Sequence, residues 1–80
     1  MIIGKTTGKC NVCGLRVREA REELRLSQDQ LAARLQTEGL GVNQNSVSRI
    51  ETGKRIVADF ELAALAKVLN VDINWLLQDE

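Results

Sequence analysis

The sequence has no histidine, no proline and no tyrosine, and it has one tryptophan and one phenylalanine among its 80 residues. Without histidine, and without a serine beside a plausible base, no catalytic constellation is recognisable. We therefore expect this chain not to be an enzyme and to need no cofactor. Alternating β-branched runs and an Asn-Gly hairpin signal are also missing. The abundance of leucine, alanine, glutamate and arginine predicts an all-α fold.

Long hydrophobic runs are absent as well. The longest apolar stretch is far shorter than the roughly 20 residues that a membrane span needs. The apolar start at residues 1–3 is interrupted too soon, by Gly4 and Lys5, to be a secretory signal. We therefore expect a cytoplasmic protein without a membrane partner. We predict a flexible tail over residues 1–11, one small domain over residues 12–78 and a short end at residues 79–80.

The sequence also lacks a net charge, because 11 basic residues balance 11 acidic ones. The distribution is uneven. Residues 1–26 hold six basic and three acidic side chains, and residues 57–80 hold one basic and five acidic side chains. Proteins that bind nucleic acid non-specifically are usually basic overall. If this chain binds DNA, its non-specific affinity should be modest, and specificity should come from placed contacts and from dimerisation.

Capping and stop residues predict where the first two helices begin and end. The first runs from about Val12 to Arg25, with Asn11 as its N-cap. Its apolar stripe consists of Cys13, Val17, Ala20 and Leu24. The second begins after Ser27, which forms a capping box with Gln30. Gly39 is predicted to end this helix in the left-handed conformation.

The remaining helices are predicted in the same way. The third begins after Asn43, is fixed by a hydrophobic staple between Val42 and Val47, and ends at Gly53. Only Val47 and Ile50 within it are expected in the core. The fourth runs over residues 60–69, with Asp59 as its cap and Phe60 on a broad buried face. The fifth, residues 73–77, follows a cap at residue 72.

The third helix carries polar side chains of the types that can read base edges in the major groove of DNA. Asn and Gln can each make two hydrogen bonds to adenine, and Arg can make two to guanine, worth about 1–3 kcal/mol of discrimination per pair. Gln44, Asn45 and Arg49 are therefore the candidate base-reading residues. Helix N-termini, hydroxyls and cations bind phosphates, and such groups flank the third helix. They are Ser27, Gln28, Lys54 and Arg55.

Three segments in order resemble the Cro/phage-repressor helix-turn-helix family, also called the Xre family. They are residues 26–32 (LSQDQLA), 47–55 (VSRIETGKR) and 65–77 (LAKVLNVDINWLL). The resemblance covers nearly the whole predicted domain. It implies a compact five-helix domain of the lambda-repressor-like type. It also implies a homodimer that binds palindromic operators in double-stranded DNA and represses transcription.

The resemblance also implies roles for individual residues. Gln44, Asn45 and Arg49 match base-reading positions, with Asn43 at their edge. Arg21 and Glu51 match a pair that commonly forms a buried or half-buried salt bridge. The positions that match DNA-backbone contacts are Ser27, Gln28, Thr52 and Lys54.

The connection between the second and third helices departs from the family pattern. The usual turn has three or four residues, whereas the cap signals here place residues 39–43 between the helices. A sub-branch with a longer second helix and a Leu-Gly turn is similar to this sequence, including residues 59–62. The departure affects how the second helix meets the DNA backbone more than it affects base reading.

Two other functions fit the same residues. The first is an antitoxin that represses its own operon, with the acidic last third of the chain as the surface for a toxin. The second is a protein-interaction module that keeps the scaffold without DNA binding. Near-zero net charge favours the second, and the retained polar residues of the third helix argue against it.

Cys10 and Cys13 form a Cys-x-x-Cys pair. One such pair without histidine cannot complete a zinc site within one chain, although two chains could share one. A redox pair at a helix N-terminus is conceivable, but no thioredoxin-like pattern surrounds it. We favour the interpretation in which Cys13 is a small core residue and no metal is bound.

Overall fold

In a computed structural model of this chain, all the regular elements among the described residues are α-helices. The structure describes residues 9–78, so residues 1–8 of the predicted tail and the predicted end at residues 79–80 lie outside the described residues. The predicted all-α, five-helix architecture is confirmed. The helices are α1 (Gly14–Glu23), α2 (Gln28–Thr37), α3 (Gln44–Glu51), α4 (Asp59–Leu69) and α5 (Ile73–Leu76). None of them is long and apolar enough to cross a membrane.

One core takes side chains from all five helices. Its buried members are Cys13, Val17, Ala20, Leu31, Ala32, Leu35, Val42, Val47, Ile50, Leu65, Ala66, Leu69 and Leu76. As predicted, Val47 and Ile50 are the only apolar residues of α3 in this core. The packing therefore leaves most of the surface of α3 to polar side chains, which is the property that matters for the candidate site.

The predicted caps of α2 and α3 are confirmed. The Ser27 hydroxyl accepts from the Gln30 N–H at 3.0 Å, and the Gln30 side chain accepts from the Ser27 N–H at 2.8 Å. Asn43 Oδ1 accepts from the Ser46 N–H at 2.9 Å at the start of α3. These bonds satisfy backbone donors that have no partner inside the helix.

The connection between α2 and α3 is longer than the usual turn, as the cap signals predicted, and occupies residues 38–43. Gly39 has a φ of 92°, and the next residue, Leu40, donates its N–H to the Leu35 carbonyl at 3.2 Å. The Gln36 side chain donates to the Val42 carbonyl at 2.7 Å. Val42 is buried with its staple partner on α3. Hydrogen bonds and a buried anchor thus hold this long turn in place.

The predicted end of α1 was wrong. The helix ends at Glu23 rather than Arg25, because Arg25 adopts a left-handed φ of 59°. The Leu26 N–H then bonds to the Arg21 carbonyl at 3.1 Å. This conformation costs a non-glycine residue about 1–2 kcal/mol. Burial of Leu26 offsets that cost, while Leu24, predicted on the apolar stripe, is 43% exposed.

The predicted start of α1 was also wrong. The helix begins at Gly14, two residues after Val12, and Asn11 is not the N-cap residue. Asn11 Oδ1 nevertheless accepts from the Gly14 N–H at 2.9 Å. Within the predicted tail, Cys10 donates its N–H to the Gly53 carbonyl, and Asn11 donates to the Ile50 and Arg55 carbonyls.

Two predictions at the start of α4 were wrong. The helix begins at Asp59, so Asp59 is its first residue and not its cap, and the Glu61 side chain instead accepts from the Ala58 N–H at 3.0 Å. Phe60 is 65% exposed. At about 100° per residue, Phe60 lies about 140° around the helix from the buried Leu65. The left-handed Asn70, with a φ of 58°, ends α4 as predicted.

Candidate nucleic-acid interface

The outward face of α3 carries the predicted base-reading residues. Gln44, Asn45 and Arg49 are all exposed, as is Asn43 just before the helix. At about 100° per residue, the three helical positions lie within an arc of about 140°. Val47 and Ile50 face the opposite way and are at most 2% exposed. The structure therefore brings these three side chains to one polar surface above two core anchors.

Arg21 and Glu51 form a bidentate salt bridge beneath this surface. Arg21 Nε lies 2.6 Å from Glu51 Oε2, and Nη2 lies 3.1 Å from Oε1. The two side chains are 12% and 3% exposed, respectively. Hydrogen bonding to Glu51 raises the pKa of Arg21, so the guanidinium stays charged. The pair ties α1 to the end of α3.

A chain of hydrogen bonds continues from this salt bridge to the outer surface. Gln28 Nε2 donates to Glu51 Oε1 at 3.1 Å, and Gln44 Nε2 donates to Gln28 Oε1 at 2.7 Å. The first residue of α2 and the first residue of α3 are thus joined through their side chains. The sequence pointed to Gln28 and Gln44 separately but not to their contact, because they lie 16 positions apart.

The candidate phosphate-binding residues lie at the start of α2 and after α3. Ser27 uses its oxygen to accept the Gln30 N–H, so its own hydroxyl hydrogen remains available to a phosphate. The Thr52 hydroxyl donates its one hydrogen to the Ser48 carbonyl at 2.9 Å, so a phosphate would have to compete for that hydrogen. Lys54 is exposed. The placements of Ser27 and Lys54 agree with phosphate contact, which stays a prediction.

Arg55 differs from the other candidates because its charge is already paired. Its Nη1 and Nη2 atoms lie 3.0 Å and 2.9 Å from the two carboxylate oxygens of Glu61. This pairing is the main cause that lowers the pKa of Glu61. A phosphate would therefore have to compete with Glu61 for Arg55, and its predicted phosphate role is untested.

The end of α3 is fastened by Gly53, which the sequence predicted as its stop, and by Asn11, whose contact with this end the sequence did not reveal. Gly53 has a φ of 75°, and its N–H bonds to the Ile50 carbonyl at 3.1 Å. Asn11 Nδ2 donates to the same Ile50 carbonyl at 3.2 Å and to the Arg55 carbonyl at 2.7 Å. These partners are 39 and 44 positions away along the chain. No local pattern could have predicted such a contact.

The two cysteines differ in their surroundings. Cys13 is 2% exposed, and burial raises the pKa of its thiol to about 11, which fits the predicted role of a core residue. Cys10 is half-buried. Residues 9–78 contain no cluster of three or more side chains that could hold a metal ion. The zinc ion shared between two chains stays an alternative prediction.

Comparison with known proteins places the chain in a family. A helix-turn-helix family model matches residues 17–76, which is three quarters of the sequence. The chain belongs to the helix-turn-helix family of the Cro/C1 type. A search of curated proteins found no significant match.

Two solved structures are similar in fold to this helix-turn-helix protein. It is similar to the P22 c2 repressor solved in complex with a synthetic operator, with a TM-score of 0.73 and 26% identity over 88% of this chain and 98% of that one. It is also similar to the restriction-modification controller protein C.AhdI from Aeromonas hydrophila. That match has a TM-score of 0.69 and 31% identity over 80% of this chain and 86% of that one. Together these matches support a DNA-binding transcription regulator.

Proposed function

We propose that this protein is a sequence-specific transcriptional repressor that binds double-stranded DNA as a homodimer, with α3 in the major groove. The observation that carries the proposal is the exposed polar face of α3 above its two apolar anchors, Val47 and Ile50. A helix can enter the major groove only if another part of the domain holds it there and its outer face carries hydrogen-bonding groups. The similarity to a repressor solved with operator DNA points the same way.

Gln44 is suited to bind adenine because one of its hydrogen bonds fixes its orientation. Its amide nitrogen donates one hydrogen to Gln28 at 2.7 Å. The other amide hydrogen and the carbonyl oxygen are the two groups that a bidentate contact with adenine requires. Gln28 is in turn fixed by the buried Glu51. Because the side chain is ordered before it meets DNA, it loses less conformational entropy on binding.

Arg49 is the candidate for reading guanine. It lies on the last turn of α3, is exposed, and forms no ion pair among the described residues. Its guanidinium can therefore donate two hydrogen bonds to one guanine in each half-site. Asn45 lies one helical turn earlier on the same side of α3 and is suited to a neighbouring base.

Two-fold symmetric binding by a homodimer follows from the small number of base-reading groups. One domain offers three or four such side chains, and each good contact discriminates by about 1–3 kcal/mol. The chain has no net charge to supply strong non-specific attraction. Two domains on half-sites about one helical turn apart double the contacts that specify the site.

Selection of bound duplexes from a random pool tests the proposal. We expect a two-fold symmetric sequence with half-sites about 10 base pairs apart. Failure to enrich any sequence would refute the proposal and favour the protein-interaction alternative. Sedimentation of the complex would show two chains per selected duplex, and a single chain would contradict the homodimer.

A pair of substitutions separates base contacts from phosphate contacts. We expect Arg49→Ala to relax the preference at one guanine per half-site, at a cost of about 1–3 kcal/mol. Lys54→Ala should weaken binding to all sequences alike and reduce the dependence on salt concentration. Lys67→Ala, which removes an exposed lysine from α4, is the matched control and should change neither. Identical behaviour of the first two variants would contradict the assigned contacts.

A further inference from the structure

We propose that Asn11 is a positioning residue for DNA binding, because it clamps the segment that carries Lys54 to the end of the recognition helix. The inference rests on the proposed function, since it assigns the phosphate contact to Lys54. Residues 9–14 form the clasp, and residues 52–55 form the loop that the clasp holds. The clasp lies before the part of the chain that matches the family model.

The side-chain amide of Asn11 connects three parts of the backbone. Its Oδ1 atom accepts from the Gly14 N–H at 2.9 Å, at the start of α1. Its Nδ2 atom donates to the Ile50 carbonyl at 3.2 Å, near the end of α3, and to the Arg55 carbonyl at 2.7 Å, in the loop. Among common side chains, only an amide offers an acceptor and two donors on one rigid planar group.

Close packing of backbone against backbone completes the clasp. A Cβ atom at Gly14 would collide with the Ile50 carbonyl and lie 2.9 Å from the Glu51 carbonyl, so only glycine allows α1 to start against α3. At the loop, the Cys10 N–H donates to the Gly53 carbonyl at 2.8 Å. The Lys9 side chain lies against Gly53, where a Cβ atom would be 2.7 Å from its Cδ atom.

These contacts hold the loop on both sides of Lys54. The carbonyl of the preceding residue, Gly53, is bonded to the backbone of Cys10, and the carbonyl of the following residue, Arg55, is bonded to Asn11. The Lys54 N–H is itself bonded to the Arg49 carbonyl at 2.8 Å. The backbone of Lys54 is thus fixed relative to α3 before DNA binds, which lowers the entropy lost when its side chain contacts a phosphate.

A purely structural role for Asn11 would be to cap α1, and the Oδ1 bond to Gly14 would suffice for it. The two Nδ2 bonds go beyond that role, because they reach the recognition helix and the loop rather than α1. Serine at this position can keep the capping bond, but its side chain is too short to replace both long-range donors. Asn11→Ser therefore separates the capping role from the clamping role.

The test compares Asn11→Ser with Asn74→Ser, an exposed asparagine on α5 that lies outside the clasp and the loop. Affinity for the selected operator is measured over a range of salt concentrations for both variants and for Lys54→Ala. We expect Asn11→Ser to bind about 3- to 10-fold more weakly and to show a smaller salt slope, approaching that of Lys54→Ala. Asn74→Ser should match the wild type.

A double-mutant cycle decides whether Asn11 acts through Lys54. We expect Asn11→Ser to have little further effect on binding when Lys54 is already alanine, and to leave the base preference set by Arg49 unchanged. Full additivity of the two substitutions would overturn the proposal. An unchanged salt slope, with only a loss of stability, would overturn it as well. If the wild-type protein selects no operator, the proposed function itself fails. That result is distinct from a failure of the proposal for Asn11, which requires a wild-type protein that binds its operator.

A measurement on the wild-type protein keeps the proposal testable if Asn11→Ser does not fold. We expect the side-chain amide signals of Asn11 in a proton–nitrogen spectrum to shift when operator DNA is added, because the loop that they hold contacts a phosphate. The amide signals of Asn74 should not shift. If the Asn11 signals are as unresponsive as those of Asn74, DNA binding does not affect the loop that Asn11 holds, and the proposal is refuted.

Discussion

Replacement of Arg21 by methionine tests the buried salt bridge that supports the recognition helix. Arg21 and Glu51 are joined by two hydrogen bonds of 2.6 Å and 3.1 Å, and the Glu51 side chain is only 3% exposed. Methionine keeps much of the side-chain volume but removes the positive charge. The Glu51 carboxylate would then remain in the interior with Gln28 as its one side-chain partner among the described residues.

The expected loss of stability follows from this burial. Removal of one partner from a buried ion pair typically costs about 3–5 kcal/mol, because the other charge is left without compensation. Arg21 also donates to the Leu26 carbonyl at 2.8 Å, and that bond is lost as well. We therefore expect Arg21→Met to lower the free energy of unfolding by about 3–5 kcal/mol. For a domain of this size, each 1 kcal/mol corresponds to a shift in Tm of about 4–8 °C.

Urea unfolding followed by circular dichroism measures this loss directly. The matched control is Arg18→Met on the same helix, whose pair with Glu22 is exposed on both sides, at 60% and 56%. Exposed pairs contribute about 0–1 kcal/mol, so the control should stay within about 1 kcal/mol of the wild type. Combining Arg21→Met with Glu51→Leu should recover much of the loss, because no buried charge remains. Equal, small effects of Arg21→Met and Arg18→Met would refute the reasoning.

Three further predictions concern the rest of the fold. Gly14→Ala should destabilise the protein because its Cβ atom would collide with the backbone of α3, whereas Gly41→Ala, which meets nothing within 4 Å, should be neutral or stabilise by about 0.4–1 kcal/mol; thermal unfolding of both variants checks this. The pKa of Glu61 is lowered by Arg55, so its stabilising effect is present above its unfolded pKa of about 4.3 and is lost as the pH falls through the lower folded value. Unfolding at pH 6 and pH 3 should therefore show a larger loss of stability for the wild type than for Arg55→Met, and equal losses would contradict the assignment. The pKa of Cys13 is raised to about 11 by burial, so iodoacetamide at pH 8 should modify Cys13 only after unfolding, as mass spectrometry of its peptide can show.

The parts of the fold that were predicted correctly depend on interactions between neighbours in the sequence. The capping bonds at Ser27 and Asn43 join residues three positions apart. The left-handed ends at Gly39 and Asn70 use residues that adopt this conformation readily. Such local preferences act before the chain is packed, so the sequence reveals them.

The errors arose where packing overrides a local preference. Arg25 takes the left-handed conformation although arginine has no tendency to do so, because this turn buries Leu26 and lets the Leu26 carbonyl accept from Arg21. Phe60 was expected in the core because it is apolar, but helical periodicity places it about 140° from the buried Leu65, and it is 65% exposed. At Arg25 a contact outside the local pattern decided the outcome, whereas at Phe60 the helical periodicity outweighed the apolar character of the side chain.

The candidate site divides in the same way. The amino-acid sequence by itself determined which side chains lie on the outer face of α3, because helical periodicity places Val47 and Ile50 inward and Gln44, Asn45 and Arg49 outward. The family resemblance added the pairing of two charged residues 30 positions apart, Arg21 and Glu51, which the structure contains.

Only the tertiary structure decided how that face is supported. It joined Gln44 to Gln28, it paired Arg55 with Glu61, and it brought Asn11 to the carbonyl groups at the end of α3. The first and third of these contacts bring together groups 16 or more positions apart, and no periodicity or capping rule links positions that distant. The Asn11 contact satisfies a part-buried backbone carbonyl that needs a partner. The exposed Gln44 amide meets the half-buried Gln28 because packing places the starts of α2 and α3 side by side.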